Sequence, residues 1–350
     1  MPSATPFEPE ECAALEVSKA PGDFLSGQSI CVSHAVLPQA GEDSFSLRTH
    51  ARGGYLCVAD GCGGLGSRRY ARMGERTGAY LAARLVTQEV ERLHQSLFPL
   101  PAGREAGQAL CVSLAALLSR KLRAFEEEHS GGRQVRIVGR MQRALPTTLC
   151  LLLMENTARG LDCLFLWAGD SRGYLLDFQG LHQLTADHTS LRADAMESLY
   201  RDLPLTNVLS AQDAFFISGR RVRVKGPCVG IVATDGAFDS LPNPMEMEWL
   251  LLSTLHGSSD PESWKRKLHN QLAKIVSDDC TLQLALYGYK RFEELREGME
   301  GRRLLLQKQF ITPVRRRKAD LPFARERWLA YMPTYDWTER TAQGEPDWRV

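Results

Sequence analysis

The chain has 350 residues, of which 43% are hydrophobic and 24% are charged. This is enough apolar material for one large domain or two ordinary ones. Its 43 Lys and Arg residues nearly cancel its 42 Asp and Glu residues, so overall charge argues against binding to nucleic acid or to a membrane surface.

The first half of the chain alternates short strand patterns with two long helical ones. Residues 1–26 are rich in Pro, Glu and Ala and predict a loose N-terminal lead-in. Three strand-like runs follow, and a glycine cluster at 61–66 comes directly after the third. Pro99 and Pro101 then separate two patterns with apolar residues at spacings of three and four. The strand runs are Gln28–Leu37, Ser44–Thr49 and Tyr55–Ala59, and the helical patterns extend from Tyr70 to Leu85 and from Leu110 to Phe125.

Strand character returns in the second half. The pair Gln179-Gly180 separates two such runs and predicts a tight hairpin, whereas residues 187–222 predict irregular structure with short helical pieces. The order of strands, two long helices, strands, helices and a last strand predicts an α+β fold of antiparallel sheets with helices outside them. The strand runs are Thr147–Met154, Leu161–Ala168, Tyr174–Phe178, Leu181–Thr185, Val229–Thr234 and Thr281–Tyr287, and the helical runs are Met245–Leu255 and Pro261–Val276.

The C-terminal part differs in composition. The stretch Arg302–Arg327 has nine basic and two acidic residues, and the last 23 residues hold three of the six tryptophans. Because tryptophan is unfavourable in water, we expect Trp328, Trp337 and Trp348 to pack against the protein's own domain or a protein partner. A solvated basic face is the plainer alternative, and nucleic acid is the weakest. We therefore predict a lead-in at 1–26, a main domain at 27–290 and an extension at 291–350.

The cysteine pattern indicates a reducing compartment. The nine cysteines lie in apolar stretches without a CxxC pair, and we interpret them as reduced, mostly buried thiols instead of a disulfide framework or a zinc site. There is no signal-peptide pattern at the N-terminus, and no apolar run is long enough to cross a bilayer. We therefore expect a cytoplasmic protein without a membrane anchor.

Acidic residues stand where predicted strands begin or end. Asp60 follows a strand and precedes the glycine cluster, and Asp235 follows another and precedes Gly236. Taken singly, such an acid is more often a turn-former or helix cap. Several that converge in a loop crevice would repel one another unless a cation lay between them, and oxygen ligands favour Mg²⁺ or Mn²⁺. The other acids in such positions are Glu42, Asp43, Asp170, Asp278 and Asp279.

Six short segments, most of which contain these acids, occur in order along the chain. They are Gly41-Glu42-Asp43-Ser44, Val58-Ala59-Asp60-Gly61-Cys62-Gly63-Gly64, Ala168-Gly169-Asp170-Ser171-Arg172, Leu184-Thr185-Ala186-Asp187-His188, Thr234-Asp235-Gly236 and Asp278-Asp279-Cys280-Thr281. Each segment is a weak signal alone. In this order they resemble the motifs of metal-dependent protein phosphatases of the 2C type, and of its bacterial members in particular, over roughly residues 28–289. The resemblance implies two stacked antiparallel sheets flanked by helices, with a two-metal centre at one edge.

The resemblance also implies a role for each acid. Asp60 would bridge both metals, and the Gly61 carbonyl would bind one of them. Asp235 and Asp278 would bind the other, so that Asp60, Asp235 and Asp278 carry the catalytic centre. Glu42 would hold a metal directly or through water. The acids implied to act through water or through these ligands are Asp43, Asp170 and Asp239.

The implied reaction is hydrolysis of phosphoserine and phosphothreonine in proteins. Two Mn²⁺ or Mg²⁺ ions per site can acidify a shared water and neutralise the phosphate, so that no protein nucleophile is needed. Cys62 therefore most simply packs. The implied partners are a phosphoprotein substrate and a cognate serine/threonine kinase, with a further protein contact through the C-terminal extension.

The sequence departs from the family pattern in three places. The arginine usually found shortly before the Glu-Asp pair, where it binds phosphate, is missing from residues 35–40. No aspartate for a third metal precedes Thr147-Thr148, and Asp279 stands where asparagine is usual. We predict that an arginine of the Gly- and Arg-rich loop at 130–143 binds the phosphate, since a guanidinium suits bidentate contact; a solvated basic loop is the alternative. The four candidates are Arg133, Arg136, Arg140 and Arg143.

Two other functions compete with a phosphatase. The glycine cluster fits the dinucleotide fingerprint GxGxxG, but helices follow it instead of a strand with a ribose-binding acid, and Asp60 would stand beside the pyrophosphate. The stronger alternative is a catalytically weak or inactive interaction module of the same fold, because the upstream arginine is missing. An inactive site has no reason to keep carboxylates that repel one another. The presence of Asp60, Asp235 and Asp278 therefore favours the enzyme.

Overall fold

The protein is a layered assembly of strands and helices, seen in a computed structural model that describes residues 28–130, 143–191, 194–201, 203–317 and 320–336. Its strands are β1 (Gln28–His34), β2 (Ser44–His50), β3 (Gly53–Ala59), β4 (Arg69–Tyr70), β5 (Arg76–Thr77), β6 (Leu149–Thr157), β7 (Gly160–Ala168), β8 (Arg172–Asp177), β9 (Gly180–Gln183), β10 (Ser218–Val224), β11 (Cys228–Ala233) and β12 (Cys280–Tyr287). Its helices are α1 (Gly78–Leu93), α2 (Arg104–His129), α3 (Ala195–Ser198), α4 (Met245–His256), α5 (Pro261–Leu272), α6 (Phe292–Leu306), α7 (Thr312–Arg316) and α8 (Leu321–Tyr335).

The strands form two five-stranded sheets and a small ribbon. Sheet A has the order β1-β12-β11-β8-β9, sheet B has the order β10-β7-β6-β3-β2, and β4 pairs with β5. All of these strand pairs are antiparallel. This architecture confirms the predicted α+β fold of two stacked antiparallel sheets flanked by helices.

Apolar packing on both faces of each sheet builds four layers. In β6, Cys150 and Leu152 face the space between the sheets, while Leu149 and Leu151 face α1 and α2. A strand buried on both faces requires a continuous apolar run, which is why this segment lacks the alternation of a surface strand. On the far side of sheet A, α4, α5, α6 and α8 cover the outer face with side chains such as Trp264.

The chain passes between the two sheets at one end of the sandwich. The β1–β2 connection leads from sheet A to sheet B, and the β7–β8 connection leads back. At the same end, Asp60 follows β3 and lies beside the start of β6, since the Thr148 N–H donates to the Asp60 carbonyl at 2.8 Å. In sheet A the end of β11 lies beside the start of β12, and the Thr234 N–H donates to the Thr281 carbonyl at 3.0 Å. Loops from both sheets therefore meet at one edge.

The first long helix begins later than predicted. Its periodic pattern started at Tyr70, but Tyr70 and Thr77 belong to the β4–β5 ribbon, and α1 starts at Gly78. Gly74 has a φ of 68°, a left-handed conformation that interrupts helical structure and that glycine adopts at low cost. The spacing of three and four before Gly78 was therefore coincidental.

Strand β10 lies in a segment predicted to be irregular. Three arginines obscured its strand pattern. Arg221 and Arg223 both bind the Asp162 carboxylate of the neighbouring β7, at 2.7 and 2.5 Å, while Arg220 is buried. Cross-strand ion pairs thus allow a basic segment to extend the sheet.

The described part of the C-terminal extension, residues 291–317 and 320–336, belongs to the helical layer over sheet A. Leu295 and Trp328 belong to the same apolar cluster as Trp264 and Leu251, and Trp328 is 1% exposed. The expectation that Trp328 packs against the protein's own domain is therefore met, while Trp337 and Trp348 lie outside the described residues. The boundaries drawn at 26 and 290 stay predictions. Within the part of the chain that the structure describes, no helix is long and apolar enough to cross a membrane.

Candidate metal centre

Asp60 occupies the centre of the edge where the loops meet, and its backbone is firmly held. The Thr148 hydroxyl accepts from the Asp60 N–H at 2.9 Å, and the Thr147 hydroxyl donates to the Asp60 carbonyl at 2.7 Å. Next to it, a Cβ on Gly61 would lie 2.5 Å from the Ala79 carbonyl oxygen. Only glycine therefore allows this loop to lie against the first turn of α1.

Asp43 and Asp170 each carry a buried carboxylate oxygen without a partner. The Thr234 and Thr281 hydroxyls donate to Asp43 Oδ2 at 2.8 and 2.7 Å. Asp43 Oδ1 and Asp170 Oδ1 accept no hydrogen bond from any residue that the structure describes. Burial raises the pKa of Asp43 to about 7, and burial followed by the charge of Asp235 raises that of Asp170. A buried acceptor left unsatisfied is costly, so these two oxygens are available to a ligand.

Asp235 and Asp239 lie one turn apart where β11 runs into a short 3₁₀ helix. Asp235 Oδ1 accepts from the Gly236 N–H at 2.7 Å, and the Asp239 N–H donates to the Asp235 carbonyl at 2.9 Å. Burial and the charge of Asp278 raise the pKa of Asp235 to about 6, and burial and Asp235 raise that of Asp239 to about 7. Asp278 itself is exposed at the start of β12, where a ligand can approach it from solvent.

Glu42 is held by contacts from both sides of the cleft. The Thr77 hydroxyl donates to Glu42 Oε1 at 2.5 Å, and a Cβ on Gly63 would lie 2.1 Å from Glu42 Oε2. The Glu42 N–H donates to Asp279 Oδ2 at 2.7 Å, and the Val36 N–H donates to Asp279 Oδ1 at 2.9 Å. Asp279 therefore fastens the β1–β2 loop, using both carboxylate oxygens where an asparagine has one acceptor oxygen.

Electrostatic repulsion links the acids into one cluster. The pKa of Asp60 lies well above its usual range because of burial and, after it, the charges of Asp235, Asp43, Asp170 and Asp278. Over the described ranges, no three Asp, Glu, His or Cys side chains already converge as a coordination sphere. The donors nevertheless suit a hard divalent cation, because they are carboxylates that repel one another and two of them have orphaned oxygens. The chemistry of the donor set therefore fits Mn²⁺ or Mg²⁺.

Comparisons with known proteins point the same way at the level of fold. No protein-family model and no curated protein matches the sequence, but solved structures match. A bacterial serine phosphatase has a TM-score of 0.55 at 17% identity, over 76% of this chain and 99% of that one. The serine/threonine phosphatase Stp1 from Staphylococcus aureus has a TM-score of 0.54 at 16% identity, over 74% and 94%. The catalytic domain of the phosphatase PstP, in complex with two manganese ions, has a TM-score of 0.51 at 18% identity, over 75% and 99%.

These matches cover nearly the whole length of each phosphatase. The chain has the fold of the bacterial protein phosphatase 2C type. The resemblance drawn from six short motifs is thereby confirmed as a shared architecture. The roles of the individual site residues in this protein phosphatase 2C fold stay predictions.

In this phosphatase fold, a buried ion pair supports the Asp170 loop. Arg172 Nε and Nη2 donate to Asp187 at 3.0 and 2.6 Å. Burial raises the pKa of Asp235 and Asp239, and the Arg172 charge offsets part of that rise. His188 Nδ1 accepts from the Gly169 N–H at 3.1 Å. Both partners come from the segment Leu184–His188, to which sequence reasoning had assigned no contact. The sequence signal that could have predicted this ion pair was the presence of Arg172 and Asp187 in two consecutive segments of the six.

The predicted phosphate-binding loop is described only at its end. Arg133, Arg136 and Arg140 lie outside the described residues. The Arg143 N–H donates to the Leu65 carbonyl at 2.9 Å, and its side chain pairs with Asp213 at 3.3 Å. Burial and Asp60 raise the pKa of the Cys62 thiol, and Arg143 counters this in part. Arg143 therefore lies beside the glycine cluster at 61–66, and its role in phosphate binding stays a prediction.

Proposed function

We propose that the chain is a metal-dependent protein serine/threonine phosphatase that hydrolyses phosphoserine and phosphothreonine with two bound Mn²⁺ or Mg²⁺ ions. The observation that carries this proposal is the cluster of repelling carboxylates around Asp60, with orphaned oxygens on Asp43 and Asp170. A fold shared with serine/threonine phosphatases, one of them in complex with two manganese ions, supports it.

The carboxylates divide into metal holders and supporting groups. Asp60, Asp235, Asp278 and Glu42, with the Gly61 carbonyl, would hold the metals. The bound metals would supply Lewis acidity toward the phosphate oxygens and toward a water molecule. The residues that would orient water or ligand side chains around them are Asp43, Asp170 and Asp239.

The protein's own groups position the site and supply no nucleophile. The hydroxyls of Thr147 and Thr148 fix the Asp60 backbone, and the Thr77 hydroxyl orients Glu42. The pKa of the Cys62 thiol is raised by burial and by Asp60, which keeps it protonated and a poor nucleophile. The attacking group would therefore be a water molecule at the site lined by Asp60.

The biological setting follows from the same proposal. The substrate would be a phosphoprotein modified by a cognate serine/threonine kinase, in the cytoplasm. The C-terminal extension would contribute to substrate access or to a protein contact without supplying catalytic groups, because α6 and α8 pack on the side of sheet A away from sheet B.

Hydrolysis of para-nitrophenyl phosphate and of phosphothreonine peptides tests the proposal. Activity should require added Mn²⁺ or Mg²⁺ and disappear with EDTA, and Asp60→Asn should lower kcat by roughly a thousandfold or more, since it removes the charge shared by both metals. Asp260→Asn is the matched control. Asp260 caps α5 through the Ser263 N–H, asparagine caps equally well, and this variant should keep full activity.

Two outcomes would contradict the proposal. One is wild-type protein that binds Mn²⁺ by calorimetry yet hydrolyses neither substrate, which would favour an interaction module of the same fold. The other is Asp60→Asn with the activity of the Asp260→Asn control.

A further inference from the structure

Two arginines flank one aromatic ring at the rim of the candidate metal centre. Arg76 in β5 and Arg84 in α1 are each four residues from Tyr80. Their guanidinium carbons lie 4.5 and 3.3 Å from the centroid of the Tyr80 ring. Stacking against an aromatic face holds a guanidinium in place and leaves its N–H groups free to bind ligands at the edge.

Both arginines reach the loop in which the expected phosphate-binding arginine is missing. Arg76 Nη1 donates to the Gln39 carbonyl, and Arg84 Nη2 donates to the Gly41 carbonyl at 3.1 Å. The next residue, Glu42, is the predicted metal ligand, and it bonds to Thr77, which adjoins Arg76. Arg76 and Arg84 therefore reach the β1–β2 loop from β5 and α1. The missing upstream arginine would have stood in that loop itself, at residues 35–40.

Over the part of the chain that the structure describes, the positive charges of Arg76 and Arg84 are not neutralised by ion pairs. Among the described residues, neither Arg76 nor Arg84 forms an ion pair with a carboxylate, whereas Arg172 pairs with Asp187 and Arg143 with Asp213. The bonds of Arg76 and Arg84 to neighbouring groups are to backbone carbonyls, which do not neutralise the guanidinium charges. Burial, opposed by Tyr80, lowers the pKa of Arg84, but an arginine stays charged in proteins.

We propose that Arg76 and Arg84 bind the phosphate group of the substrate, in place of the missing upstream arginine. The proposal rests on the proposed function for the identity of the ligand, a phosphate monoester. A pair of guanidiniums beside a cluster of metal-holding carboxylates offers several N–H donors to the phosphate oxygens that face away from the metals. This assigns substrate binding to α1 and to the ribbon before it.

Calorimetric titration of the Mn²⁺-loaded, full-length protein tests the assignment without relying on turnover. The probes are inorganic phosphate and a phosphothreonine peptide. Arg84→Gln and Arg76→Gln should each weaken binding of both probes by roughly tenfold or more, as expected for loss of hydrogen bonds from a charged donor. Arg84→Lys should recover part of the loss, because it restores charge without the two-pronged geometry.

A second titration separates binding from a structural role. Mn²⁺ affinity, measured separately, should be unchanged in all three variants. Arg92→Gln is the matched control, because Arg92 lies two turns further along α1 and pairs with Glu89. It should bind phosphate and Mn²⁺ as the wild type does.

The inference is overturned if Arg84→Gln and Arg76→Gln bind phosphate as tightly as the wild type, or if their Mn²⁺ affinity falls in step with phosphate affinity. The first result in a protein that hydrolyses phosphopeptides would overturn this inference alone. A wild-type protein that binds phosphate through these arginines yet hydrolyses no substrate would support the inference and overturn the proposed function.

Discussion

Two regions of this protein bury negative charge in opposite ways. In the helical layer, the fully buried Glu248 accepts from Arg302 Nε and Nη2 at 2.6 and 2.9 Å and from the Tyr331 hydroxyl. At the candidate metal centre, the carboxylate of Asp43 has one oxygen without a partner, and Asp60 faces four other acids. The first arrangement is complete within the protein, whereas the second leaves acceptor oxygens unmet among the described residues, and we propose that a cation meets them.

The difference distinguishes structural burial of charge from functional burial. A buried ion is tolerated when its partner and all its hydrogen bonds are supplied by the fold. The same contrast holds within sheet B, where hydrogen bonds from Arg223 and Arg221, against the effect of burial, lower the pKa of Asp162. Asp60, only a few strands away, has its pKa raised. Buried carboxylates with raised pKa values make this edge a candidate ligand site.

Breaking the complete arrangement should have the largest effect on stability. Glu248→Ala leaves Arg302 buried without its partner, and we expect a loss of about 3–5 kcal/mol in the free energy of unfolding. Urea denaturation followed by circular dichroism measures it. Glu300→Ala is the control, because Glu300 pairs with Arg303 at a partly exposed site and should cost less than about 1 kcal/mol. Equal losses in the two variants would remove the distinction between the regions.

Neutralising one acid of the incomplete arrangement should have the opposite sign. Asp60→Asn relieves repulsion among the acids, and the metal-free protein should gain on the order of 1 kcal/mol, the value of about one pKa unit. Thermal unfolding in EDTA measures the gain. With Mn²⁺ the order should reverse, because only the wild type gains stability from binding. A metal-free Asp60→Asn protein less stable than the wild type would show that Asp60 is structurally satisfied.

A third expected effect is a pH dependence confined to the metal-free protein. The pKa values of Asp43 and Asp239 are raised from 3.8 to about 7 on folding, so the folded state holds these protons more tightly than the unfolded state. Their contribution is fully present below about pH 4 and is lost as pH rises to about 7. Unfolding in EDTA should therefore become easier between about pH 5 and 7. Stability that stays level or increases across that interval would count against incomplete burial at this site.

Much of the architecture and of the candidate site could be predicted from the sequence. Runs such as Leu149–Met154 are apolar throughout because both faces of the strand are buried, and this signal is local. The acids at Asp60 and Asp235 stand at strand ends beside glycines, which is also visible locally. Their order along the chain was sufficient to predict the resemblance and the stacked antiparallel sheets.

Several features depended on contacts between distant parts of the chain. Asp279 fastens the Glu42 loop across a separation of 237 residues, and Arg76 and Arg84 meet that loop through packing of α1. Strand β10 needs Asp162 from another strand to neutralise its arginines, and Trp328 needs the outer face of sheet A to cover it. Sequence patterns determine which segments can form strands and helices and which acids stand at their ends, because those are short-range properties. Only the tertiary structure decides which charges are compensated, since the partner of a buried charge can come from anywhere in the chain.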